Sequence, residues 1–126
     1  MKRSWLGFAL LVLLLFVSIL TTRQMTKIHE PIGTELMMAA QTALDGNWDS
    51  AEVFFLRAET DWKKWENFRA CVADHNPVEE IDAGMEMLKT FQDTRDRISF
   101  AAGCRELARK VLAVGEAHEL VWWNLL

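Results

Sequence analysis

The sequence predicts an all-α chain: an N-terminal transmembrane helix followed by an antiparallel up-down four-helix bundle made of two helical hairpins. Three observations predict it. A basic start, Lys2-Arg3, runs into an apolar stretch from Trp5 to Leu20 that is interrupted only by Gly7 and Ser18. Beyond that stretch, apolar residues recur every three or four positions, the period of a helix with one buried face. The 126 residues include six Trp and seven Phe but only two Pro and six Gly, which fits neither a disordered chain nor a turn-rich all-β fold. A chain of this length has room for one domain.

Residues 5–22, as a helix, span roughly 27 Å, close to the hydrocarbon thickness of a bilayer. A cleaved secretory signal shares the basic start and apolar centre but needs small residues before the cut. The stretch Ser18-Ile19-Leu20-Thr21-Thr22-Arg23-Gln24 has no such site, so an uncleaved signal anchor is expected. Lys2 and Arg3 hold the start on the cytoplasmic side. Residues 1–4 are then cytoplasmic, 5–22 cross the cell membrane once, and 23–126 form an extracytoplasmic helical domain. Twelve basic residues face eighteen acidic ones from Arg23 onward, a net −6. That balance excludes nucleic acid as a partner and disfavours an anionic lipid surface.

The first helix of the domain starts at Met25, with Ile28, Ile32, Leu36, Ala39 and Ala43 on its stripe, and Pro31 is expected to kink or restart it. It closes at Leu44-Asp45-Gly46-Asn47, where Gly46 suits a left-handed C-terminal cap and Asn47 an N-cap. The second helix carries Trp48, Ala51, Phe55, Ala58, Trp62, Trp65, Arg69 and Val72 and ends near Asp74-His75-Asn76-Pro77. The third begins at Pro77, with Val78, Ile81, Met85, Leu88 and Phe91 inward and Glu79, Glu80 and Asp82 in its first turns, where the helix dipole favours acids. After a turn over Gln92 to Asp96, the fourth carries Phe100, Cys104, Leu107, Val111, Val114, His118 and Val121 and runs into Trp122-Trp123-Asn124-Leu125-Leu126.

Short connections make successive helices antiparallel neighbours, so the C-terminus returns towards the bilayer. Trp122 and Trp123 then sit at the headgroups or cap the base of the bundle. The second and fourth helices run parallel, with Cys71 late in one and Cys104 early in the other. Their heights differ by roughly 20 Å, far beyond disulfide reach. Two free thiols are expected, each a small buried hydrophobe.

Leu44 to Ala51 resembles the turn of a tetratricopeptide hairpin, and Leu88 to Ser99 echoes it at an offset of about 48 residues. That repeat has a period of about 34 and needs three or so units, so a plain helical hairpin is the reading taken. Trp62, Trp65 and Phe68 share the face of Phe55 and Ala58 and are expected in the core rather than on a ligand platform. Asp61, Lys63, Lys64 and Glu66 are expected on a solvated face.

The same topology brings His75, His118, Glu79, Glu80 and Asp82 to the membrane-proximal end, near His29 and Glu30. Imidazoles and carboxylates converging from different helices are how bundles hold metals. A structural polar cluster and a pH-sensing group are the other readings, because no H-x-x-x-H or E-x-x-H pair is present. No G-x-S-x-G, glycine-rich phosphate loop or zinc-protease helix occurs. Cys71 and His75, four apart on one helix, are the remaining hint of a thiol or hydrolytic enzyme.

Taken together, Gly46, Asn47, Trp48 and Ala51, the pair Trp62 and Trp65, Asp74-His75, Glu80-Ile81-Asp82 and Asn124-Leu125-Leu126 resemble a family of small single-span membrane proteins of Gram-positive bacteria, catalogued as a domain of unknown function. The resemblance implies an anchor plus a helical extracytoplasmic domain and no particular activity.

The expected function is that of a non-enzymatic, membrane-anchored protein-interaction, accessory or scaffold module of the cell envelope, with a protein partner and no cofactor. The alternative is a ligand- or metal-sensing domain using His75, His118, Glu79, Glu80 and Asp82.

Overall fold

In the computed structural model, Lys2–Leu44 form one unbroken helix, α1. The structure describes the backbone of residues 1–72 and 75–124, and the side chains of residues 1–71 and 76–116. The first half of α1 exposes apolar side chains around its circumference, from Trp5 at 74% to Leu20 at 50%. At Met25 exposure falls to 0%, and Ile28, His29, Ile32, Leu36, Ala39, Ala40 and Ala43 continue a buried stripe. No boundary separates the apolar rod from the core helix. Pro31 neither ends nor restarts it. Lys27 and Pro31 are both exposed, so the carbonyl that loses its amide partner faces water. Ile28, His29, Ile32 and Gly33, all buried, clamp the helix on either side of the proline.

α1 ends as expected. Gly46 has φ +80, its amide donates to the Ala43 carbonyl at 3.0 Å, and the Asn47 amide donates to the Thr42 carbonyl at 2.9 Å. This crossed pair is a Schellman closure, in which a left-handed residue turns the chain back on the last carbonyls. The Asn47 side chain then accepts from the Ser50 amide at 3.2 Å and starts α2, Trp48–Lys64.

The expected second helix is two helices. The chain leaves α2 at Trp65, with φ −102 and ψ 15, and resumes as α3, Glu66–Val72. Arg69 caps the break, its Nη2 donating to the Trp62 carbonyl at the end of α2. A carbonyl left over at a helix end needs a donor, and here a side chain from α3 supplies it. The break also resets the helical phase. Trp62 is buried as expected, but Trp65 and Phe68 are half-buried and stack edge-on, with ring centroids 6.2 Å apart. Cys71 is exposed rather than buried, whereas Cys104 is in the core; both are free thiols.

α4, His75–Asp93, starts two residues before Pro77, which sits in its first turn where a missing amide costs nothing. It ends in a second Schellman closure at Arg95 (φ 57), with the Asp96 amide on the Phe91 carbonyl at 3.0 Å. The Asp96 side chain accepts from the Ser99 amide and opens α5, Arg97–Asn124. Among the described residues there is no strand.

α1 packs along α2 and α5, and α4 packs along α5. Glycines set the closest approaches. A Cβ on Gly84 would lie 2.6 Å from Leu107 and one on Gly103 2.7 Å from Leu88, so α4 and α5 run antiparallel with leucines seated over glycines. α2 and α4 are tied by the Lys89–Glu59 ion pair at 2.8 Å. The shared core includes Leu36, Phe55, Trp62, Ile81, Leu88, Phe100 and Val111. The expectations for Asp74, Leu125 and Leu126, and for the side chains of His75, His118, Val121, Trp122 and Trp123, lie outside the described residues.

Candidate functional site

Four helices meet at a polar node whose Trp62, Arg69 and His29 are buried and whose Asp82 is exposed. Trp62 of α2 donates its indole N–H to Asp82 Oδ1 of α4 at 2.7 Å. Arg69 of α3, 1% exposed, lies over the face of the same indole, its Cζ 3.5 Å from the ring centroid. His29 of α1 meets the indole edge-on at 5.8 Å. The stack is a cation over an aromatic face, an arrangement that strengthens as water is removed.

Burial sets the charge states here. Burial lowers His29 below its ordinary value, its hydrogen bond to Met25 works the other way, and the charge of Arg69 lowers it further. The Nδ1–H donates to the Met25 carbonyl at 2.7 Å, and Nε2 has no partner among the described residues. Burial pushes Arg69 down to about 10, against the pull of Asp82 and then Glu66. At neutral pH the node is therefore a buried cation beside a neutral imidazole. A cavity of about 210 Å³ adjoins it, lined by Glu59, Trp62, Glu66, Arg69, Asp82 and Met85 among others.

Nearly two helix-turns up α1 from His29, Glu35 lies beside Asp61 of α2. Burial pushes Glu35 up to about 7, the neighbouring Asp61 carboxyl adds to the rise, and Arg57 offsets part of it. A carboxylate beside Glu35 disfavours its ionised form and so adds to the effect of burial.

On the opposite flank of α1, a groove of about 510 Å³ runs between α1 and α5. Exposed Met37, Met38 and Leu112 form its apolar wall, and Glu30 and Glu116 stand on its rim.

The acids expected to converge at the start of α4 diverge. Glu79 is exposed, Glu80 reaches Lys110 of α5 at 3.9 Å, and Asp82 turns to Trp62 of α2. Among the described residues no group of three or more His, Cys, Asp or Glu side chains is placed to hold a metal ion. The side chains of His75 and His118 lie outside the described residues.

Sequence reasoning placed Arg69 on the stripe of the second helix without assigning it a role. The signal was there: a guanidinium at helical spacing between Trp62, Trp65 and Val72 must be buried over something that accepts it. Glu35 and Asp61 left no such signal, because each sits beside its own stripe.

The comparisons with known proteins bear on the whole of this architecture. The family model described as domain of unknown function DUF4363 matches residues 19–125. The chain belongs to that family. The matched region of this DUF4363 protein begins inside the apolar half of α1 and takes in all four later helices, so the node, the carboxyl pair and the groove all fall within it. No curated protein and no solved structure matches the DUF4363 chain.

Proposed function

We propose that this DUF4363 protein is a membrane-anchored interaction module of the cell envelope, performing no chemical step of its own. In this reading residues 5–22 cross the membrane, residues 1–4 stay in the cytoplasm, and the bulk of the chain stands outside. From Met25 onward α1, α2, α4 and α5 act as the four members of an up-down bundle, with α3 a short appendage of α2.

The observation that carries the reading is the change of character along one helix. α1 is long and apolar enough to cross a membrane, and none of its most apolar window is buried inside the protein. Such a surface needs lipid around it. Five residues after Leu20 the same helix is core. A domain attached so closely meets proteins of its own membrane first, and its exposed Met37, Met38 and Leu112 form a contiguous apolar surface rather than scattered single residues.

Affinity capture of the full-length protein, crosslinked in its native membrane, tests the proposal. The control keeps residues 1–22 and deletes the helical domain. A partner lost with the domain is the expected result. Recovery of the same partners by both forms would overturn the reading.

A further inference from the structure

The groove between α1 and α5 has a chemistry that selects its occupant. Resting on the interaction-module reading, we infer that it binds an amphipathic helix of a partner protein, with an apolar stripe and Lys or Arg at the end nearest the membrane.

The first reason is shape. The groove follows α1 from Thr26 to Met38, about 18 Å of helix axis, which accommodates some three turns of a partner helix. Gly33 and Gly115 draw α1 and α5 together at its floor. A Cβ on Gly33 would already meet Leu112 at 3.1 Å, and one on Gly115 would meet His29 at 3.4 Å. The groove therefore runs along the seam of two closely packed helices, an elongated form that suits a helix laid along it. Its wall of Met37, Met38 and Leu112 is adaptable, since unbranched thioethers repack around different apolar side chains.

The second reason is charge. Glu30 and Glu116 stand at the lower end, and among the described residues neither forms an ion pair. Arg105 and Arg109 lie higher on α5 and outside the lining. Unpaired carboxylates beside an apolar wall favour a cationic partner and repel an anionic lipid headgroup. They also disfavour a second copy of this chain. Two copies anchored side by side and related by a two-fold axis along the membrane normal would set Glu30 and Glu116 against their own counterparts at the same height.

The test uses the full-length protein in phosphatidylcholine nanodiscs. Two labelled helical peptides share one leucine heptad stripe, one flanked by lysine and the other by glutamate, and binding is read by fluorescence anisotropy against empty discs. The lysine peptide should bind about tenfold more tightly than the glutamate peptide. Glu30→Lys with Glu116→Lys should reverse that preference. Glu79→Lys with Asp93→Lys, which alters net charge equally but lies away from the groove, should preserve it. All four positions are exposed, and melting curves confirm folding of each variant.

Equal binding of both peptides, equal loss in both double variants, or crosslinking of a photoreactive residue at Met38 to a second copy would each overturn the inference. Native-membrane capture separates the two readings. A domain-dependent partner that persists in the Glu30→Lys, Glu116→Lys variant sinks the groove and leaves the module standing. Absence of any such partner sinks the module whatever the peptides do.

Discussion

At the scale of single residues, Trp62 joins side chains from three other helices. Its ring is covered by Arg69 and edged by His29, and its N–H is held by Asp82. Trp62→Ala should destabilise the domain by about 3 to 5 kcal/mol, measured by chemical denaturation. Asp82→Ala, which removes the acceptor of the indole N–H and a carboxylate that acts on buried Arg69, should cost about 1 to 3 kcal/mol. Glu35 supplies a prediction of opposite character. Its folded value of about 7 lies above the ordinary 4.5, so the folded state holds the proton more tightly than the unfolded chain does. The stabilisation is complete below pH 4.5 and is lost as pH rises through 7. Glu35→Gln should therefore raise Tm at pH 8 and change it little at pH 4, and a pH-independent shift would refute the assignment. His29 works against this trend: its lowered value favours the neutral ring, so its stabilisation is present above about 6.5 and fades on acidification. The burial of Trp62 was legible in the spacing of apolar residues. The proximity of Glu35 to Asp61 was not, because the period of one helix says nothing about the rotation of its neighbour.

At the scale of elements, the molecule uses one turn twice. Gly46 and Arg95 both take left-handed backbone, and Asn47 and Asp96 both cap the helix that follows by accepting from Ser50 and Ser99. The two closures lie forty-nine residues apart, one more than the sequence echo suggested. The first was legible because Gly46 advertises its conformation. The second was veiled because an arginine occupies the position. Arg95 is held there by Glu52 at 2.8 Å and by the face of Trp48, so one hairpin's turn is fastened to the other hairpin. Gly46→Val should cost about 1 to 2 kcal/mol, since a β-branched residue at φ +80 is strained whatever the space around it. Pro31 exposes the limit of local rules. A proline breaks a helix unless packing on both sides holds it, and sequence pattern alone does not reveal that packing. Pro31→Ala should restore the missing donor to α1 and stabilise the domain by about 1 to 3 kcal/mol, again by denaturation. A loss of stability would show that the proline contributes to the packing around it.

At the scale of the whole molecule, the helical class and the order of the long helices followed from periodicity and from the scarcity of Gly and Pro. The break at Trp65 was missed because the apolar spacing runs on through it, and a side chain, Arg69, satisfies the carbonyl that the break leaves free. The two thiols report on the assembled fold. Cys104 is buried, and burial pushes it up to about 12, whereas Cys71 is exposed. A maleimide reagent should add once to the folded chain, at Cys71, and a second time only on unfolding, as read by mass. Two rapid additions would contradict the packing of α5.

The absence of any joint in α1 makes the protein a lever rather than a bead on a string. Azimuth and height of the groove above the apolar segment are fixed by helical phase, so tilt or rotation of one end is felt at the other without a hinge to absorb it. Two extra alanines between Arg23 and Gln24 would swing the groove through about 200° and raise it by about 3 Å. Seven would lift it about 10.5 Å yet return it to within about 20° of its original bearing. If the groove takes the partner helix proposed for it, that binding should depend on the number of residues inserted in a cyclic way, weakened by two and regained in part by seven.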